Sequence, residues 1–201
     1  RFYPPATTTP LQLQATTITF ASTNQNKFHE VESILAAKGI RAGFARLELV
    51  EIQSDSLEEI AKEKARSAYA KVKKPVIVED DGLYVDALAG FPGQYSSYVF
   101  KTIGNAGILK LLEGKKDRSA SFRSLVAFFD GGNDIHLFEG KVQGRISEKI
   151  AQGGWGYDPI FVPEGAGATT FAELASSKND YSHRKMALDK FAAWWLAKDT
   201  T

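Results

Sequence analysis

The sequence predicts an α/β fold: a long, mixed, twisted sheet with flanking helices and two lobes around a central cleft. Two observations carry this. Strand-like and helix-like periods alternate from residue 16 to residue 78, and strand–helix–strand spacing of that kind suits parallel pairing. Further on, two β-rich runs over 119–130 and 135–146 flank Gly131-Gly132-Asn133-Asp134 and read as a hairpin. That hairpin adds antiparallel strands and is the expected basis of the second lobe.

Composition narrows the class. The 201 residues suit one core, or one domain with two lobes, and the 43% apolar and 24% charged content is that of a globular chain. A net charge of +1 gives no footprint for a nucleic-acid polymer. Cysteine is absent, which excludes disulfides, thiolate metal sites and thiol nucleophiles and is compatible with a reducing cytosol. No apolar run approaches the roughly 20 residues that cross a bilayer, so a soluble, cytoplasmic protein without a membrane partner is expected.

The first fifteen residues, including Tyr3-Pro4-Pro5-Ala6-Thr7-Thr8-Thr9-Pro10, show neither structural period nor the apolar centre of a signal peptide. They are expected to be a mobile extension, residues 16–201 forming the domain. The start at Arg1 rather than Met fits a processed or truncated chain.

Residues 16–21 form the first expected strand. The polar loop Ser22-Thr23-Asn24-Gln25-Asn26-Lys27 leads into a helix whose Phe28, Val31, Ile34 and Leu35 share a face and which stops near Gly39. Strand, loop and helix in succession offer backbone N–H groups and the Lys27 ammonium to an anion. An ordinary capped helix explains the same stretch, and no Walker-type loop is present. A strand over 40–50 is followed by Glu51-Ile52-Gln53, with Asp55 the expected cap of a helix reaching about Val72.

Residues 75–78 are short, β-branched and bounded by Pro75 and Gly82, as expected of a buried strand. Glu79, Asp80 and Asp81 follow, with Gly82 expected to turn the chain away from them. Adjacent carboxylates at a strand tip repel one another unless a cation, donors or solvent compensate. A solvated acidic turn and a divalent-ion site are both open on this stretch alone. Residues 83–98 read mostly as loop, and a helix is expected over 105–112. Gly153-Gly154-Trp155-Gly156-Tyr157-Asp158-Pro159 permits close backbone approach, and Trp155 and Tyr157 present faces for stacking a base or for packing a core. Ser182 stands as the N-cap of a last helix carrying Leu188, Phe191 and Trp195. Lys178, His183 and Arg184 near that N-terminus oppose the helix dipole, so an anionic or carbonyl-bearing ligand is the expected reason for them.

In order and spacing these segments resemble the inosine triphosphate pyrophosphatase family, also called the Ham1 or RdgB-like family, over nearly the whole chain after the extension. Ser22-Thr23-Asn24-Gln25-Asn26-Lys27 is similar to its Thr-Gly-Asn-x-x-Lys loop, and Glu79-Asp80-Asp81-Gly82-Leu83 to its Asp-Asp-Ser-Gly-Leu. Gly154-Trp155-Gly156-Tyr157-Asp158-Pro159 is similar to its Gly-Phe-Gly-Tyr-Asp-Pro, and Ser182-His183-Arg184 matches unchanged. Phe91-Pro92-Gly93 and Glu51-Ile52-Gln53 resemble the family's archaeal-type branch.

The resemblance implies hydrolysis of non-standard purine nucleoside triphosphates (ITP, dITP, XTP) to the monophosphate and pyrophosphate by a homodimer that cleanses the nucleotide pool. It further implies Mg²⁺, with Mn²⁺ as a substitute, held by Glu51 and Asp80, Asp80 being also the general base. Ser22, Thr23, Asn24, Lys27 and Lys178 would meet the phosphates. Trp155 and the Gly156-Tyr157-Asp158 backbone would flank the purine, and His183 and Arg184 would read its 6-oxo group. Thr23 replaces a glycine and Asp81 a serine or threonine that would contact substrate. A charge at Asp81 repels a polyphosphate unless metal intervenes. A Maf-like pyrophosphatase of other specificity, a nucleotide-binding protein without turnover, and a purely structural domain are the competing expectations.

Overall fold

The computed structural model describes residues 17–198; the expected extension lies outside the described residues. Strand β1 (Thr17–Ser22), helix α1 (Gln25–Ala36) and strand β2 (Arg41–Arg46) form a parallel unit in which Thr17 pairs with Arg41 and Ser22 with Arg46. Helix α2 (Leu57–Val72) carries the chain to β3 (Val76–Val85), which pairs parallel with β1 on its other side. After β4 (Pro92–Gly93), α3 (Ser96–Thr102) and α4 (Gly104–Leu111), three antiparallel strands follow: β5 (Ser119–Phe129), β6 (His136–Ile146) and β7 (Phe161–Pro163). The short α5 (Phe171–Leu174) precedes α6 (His183–Lys198). Strand order is β2-β1-β3-β5-β6-β7, with β4 on β3. The expected mixed sheet with flanking helices is this sheet. Among the described residues no helix is long and apolar enough to cross a membrane.

Side-chain alternation distributes the core. Ile18, Phe20, Ile77, Val126 and Phe128 pack under α1 and α6, while Ala21, Val76, Val78, Leu125 and Ala127 pack on the opposite face under α2, as a period of two requires. A third core joins Leu83, Val85, Ala120, Phe122, Val142 and Ile146 to α3 and α4 through Val99 and Ile108. The hairpin therefore does not build a lobe of its own. Strands β3 and β5 run through both lobes, because they pair without interruption from Val76↔Phe129 to Val85↔Ala120.

The same pairing corrects the reading of the acid cluster. Glu79, Asp80 and Asp81 lie in the middle of a ten-residue strand rather than in a turn after it. Gly82 does not turn the chain. It lets β4 cross, since a Cβ there would come within 2.5 Å of the Gly93 carbonyl oxygen. Elsewhere β2 ends at Arg46, short of the expected 50, and Ser56 rather than Asp55 caps α2, its Oγ accepting from the Glu59 N–H at 3.2 Å. Part of the expected 83–98 loop is the end of β3, the two-residue β4 and the start of α3.

Candidate active site

Because β3 is extended, its three acids point to alternate faces. Glu79 and Asp81 face α1 and α6. Glu79 is fully buried; its carboxylate accepts from Ser124 Oγ at 2.7 Å and pairs with Lys27 Nζ at 2.9 Å and Arg184 Nη2 at 3.1 Å. Asp81 pairs with Lys27 at 2.5 Å and with Arg184 Nη2 at 2.8 Å. The guanidinium's other nitrogen bonds Glu30 of α1. Glu30 also takes Lys178 at 2.8 Å and the Trp155 Nε1–H at 2.9 Å, and Lys178 closes the network on Asp158 at 2.7 Å.

Charge shifts follow from this packing. Burial pulls the Lys27 ammonium down, but Asp81 and Glu79 outweigh it and hold the group above its ordinary range. Burial raises Glu30, yet Arg184 and Lys178 bring its carboxyl down to about 2. Burial pushes His183 below its ordinary value, which favours the neutral ring. That ring stacks on Phe122 at 4.6 Å between centroids, and neither of its nitrogens has a hydrogen-bond partner.

Asp80 faces the other way, toward α2. Lys64 Nζ lies 3.3 Å from Asp80 Oδ1 and 2.8 Å from Glu51 Oε1. One ammonium thus serves two carboxylates in unlike surroundings. Asp80 is largely buried, and burial raises its pKa against the pull of Lys64. Glu51, its side chain 66% exposed, is desolvated less and is lowered by Lys64. Environments that push two carboxyls apart are how a site separates a base from a ligand.

Both arrangements open on one cleft of about 1090 Å³ between the lobes, and every residue singled out in the sequence borders it. Five of those residues already have partners within the protein. Asn24 Oδ1 caps α1 by accepting from the N–H groups of Asn26 and Lys27, at 3.0 and 3.2 Å, so this side chain does the work of an ordinary helix cap. Tyr157 is 5% exposed, donates to the Ser96 carbonyl at 2.9 Å and packs on Phe100, so its ring belongs to the core. Lys178 and Arg184 do not require a ligand to explain them, because the protein's own carboxylates neutralise them. The Asp81 charge is likewise met by Lys27 and Arg184 rather than left facing the cleft. Trp155, by contrast, presents its ring beside Lys178 and Arg184, 5.0 and 5.4 Å from the respective cationic atoms, and lines the cleft.

Lys64, Glu30 and Ser124 are the site residues the sequence reading missed. Lys64 had left a trace: it occupies a place in the apolar stripe Leu57, Ile60, Ala61, Lys64, Ala65, Ala68 of α2, where a lysine is out of character. Among the described residues no three metal-ligating side chains gather. Glu51 and Asp80 nevertheless converge on one cationic nitrogen, so a hard cation that displaced the Lys64 ammonium would meet both carboxylates, its remaining oxygens coming from elsewhere.

Taken together, a mixed α/β sheet holds a two-walled cleft with carboxylates convergent on one ammonium at one side and buried, carboxylate-paired basic groups beside an indole ring at the other. The protein's family is established by comparison: residues 18–194 match the model of the Ham1 family, and the chain belongs to that family. A dITP/XTP pyrophosphatase of Methanopyrus kandleri is 51% identical over 180 residues, 89% of this chain and 95% of that protein. One from Thermococcus kodakarensis is 45% identical over 88% of this chain and 96% of its own length. Among solved structures, a HAM1 protein from Coxiella burnetii superposes with a TM-score of 0.77 at 30% identity, covering 90% of this chain and 99% of that one.

Proposed function

We propose that this chain hydrolyses non-standard purine nucleoside triphosphates, ITP, dITP and XTP, to the monophosphate and pyrophosphate. Supporting the reading are family membership and relatives named dITP/XTP pyrophosphatase at 40–51% identity. The observation that carries the mechanism is Asp80, a largely buried carboxylate of raised basicity lining the cleft, which shares the Lys64 ammonium with Glu51.

In this reading Lys27 and Lys178 donate to phosphate oxygens while keeping their carboxylate partners, since an ammonium has three donors, assisted by Ser22, Thr23 and the N-terminus of α1. Asp80 accepts a proton from the water that attacks the α-phosphorus, the α–β bridging bond breaks, and pyrophosphate leaves with the bond's electrons. A divalent ion, Mg²⁺ or Mn²⁺, held by Glu51 and Asp80 would supply neutralisation of the phosphate oxygens. Six carboxylates and four permanent cations make up the site's ion pairs, an excess of two negative charges that favours a polyphosphate arriving with such an ion. Trp155 flanks the base. Arg184 and His183 donate to a 6-oxo oxygen, which a 6-amino group cannot mimic because it does not accept. The homodimer and a cytoplasmic, pool-cleansing role rest on the family resemblance.

The deciding experiment is pyrophosphate release from ITP, XTP, dITP, ATP, GTP and dUTP with and without Mg²⁺. Turnover is expected with the first three and Mg²⁺. Equal rates with ATP would sink the selectivity, a preference for other nucleotides would favour a Maf-like enzyme, and saturable binding without release would point to a nucleotide sensor.

A further inference from the structure

Asp81 stands between two groups that the proposed reaction uses for different ends. Its Oδ1 meets Lys27 Nζ at 2.5 Å, and its Oδ2 meets Arg184 Nη2 at 2.8 Å. Lys27 belongs to the first turn of α1, which would hold phosphate, and Arg184 to the helix that would read the base. The connector is stiff, because Asp81 sits in mid-strand opposite Ser124 of β5. Its carboxylate is mostly buried, with 19% of the side chain exposed, so a lost partner must be replaced from within the protein. Arg184, fully buried, is shared by Glu30, Glu79 and Asp81. His183 Nε2 waits 3.8 Å from Oδ2 with no hydrogen-bond partner of its own.

We propose that Asp81 is a positioning residue that couples the two halves of substrate recognition, the aim of Arg184 at the base depending on what Lys27 holds at the phosphate end. The inference rests on the proposed function. With Lys27 in place, Asp81 divides its charge between two cations and takes only Nη2 of the guanidinium, whose Nε–H has no partner and can donate to a carbonyl. Without Lys27, Arg184 becomes the sole cation at hydrogen-bond distance from Asp81 and is drawn toward β3, away from the purine. Phosphate recognition and base selection are then not separable, although Lys27 touches only atoms common to every nucleoside triphosphate.

The test is a cycle read as the ratio of kcat/KM for ITP to that for ATP, which a general loss of activity or stability does not move. Lys27→Ala in the wild-type background is expected to lower the ratio about three- to tenfold, the size of coupling found between groups in one network. In an Asp81→Ser background the same change should leave the ratio within about 1.5-fold, since no carboxylate remains to transmit it. Asp81→Asn, which keeps the shape, serves if the serine variant folds poorly. An unchanged ratio in Lys27→Ala overturns the proposal without any Asp81 variant, and an equal fall in both backgrounds overturns it too. Arg184→Lys separates this failure from that of the underlying reading: if it leaves the ratio alone, base selection does not run through Arg184 at all.

Discussion

The two faces of β3 carry the same kind of residue to opposite effect. Toward α1 and α6, Glu79 and Asp81 are locked among Lys27 and Arg184, with Ser124 completing the bonds. Toward α2, Asp80 shares a single ammonium with the exposed Glu51. One side is saturated with ion pairs; the other holds a carboxylate that burial keeps basic. Reactivity in such a cluster is set less by which acids are present than by how many cations each must share, and strand alternation decides that sharing.

If this contrast is right, the saturated face governs folding and the under-compensated face governs turnover. The largest effect is expected from Arg184→Met, which leaves Glu30, Glu79 and Asp81 short of a buried partner; urea unfolding should show a loss of about 3–5 kcal/mol. A loss below about 1 kcal/mol would mean that the network does not hold this face together. Next comes Asp80→Asn. Pyrophosphate release should fall by about 10² or more while the unfolding midpoint hardly moves, as for removal of a general base. A folded variant with near wild-type rate would take Asp80 out of the mechanism. The smallest structural effect belongs to Glu51→Gln, whose partner contact is exposed: stability should change by less than about 1 kcal/mol, yet the Mg²⁺ concentration for half-maximal rate should rise. An unchanged metal requirement would leave Glu51 as a mere neighbour of Lys64.

Much of this was legible in the chain. Phe28, Val31, Ile34 and Leu35 of α1 and Leu188 and Phe191 of α6 are buried as their periods require. The β5–β6 hairpin falls within a residue of its expected bounds at all four ends. What escaped was tertiary. Glu79, Asp80, Asp81 and Gly82 read locally as a turn, and only ten rungs of pairing with β5 keep them extended. Helix α3 is seven residues long and buries only Ser96 and Val99, too little to register as a period. Glu30 lies on α1 outside its apolar stripe, and nothing in the sequence announces that Trp155, Lys178 and Arg184 all come to it. The cations at the start of α6 suggested a ligand because their carboxylate partners are remote in sequence.

Gly82 bears on how substitution data for this protein will be interpreted. It touches no ion pair of the site, but a methyl group there would collide with the Gly93 carbonyl and prise β4 from the strand that carries all three acids. In an alanine scan scored by activity, position 82 would rank with Asp80 and invite a chemical role it does not have. The signature that separates them is directional: a misaligned strand should degrade the acids on both of its faces together, whereas loss of Asp80 silences one face and spares the other.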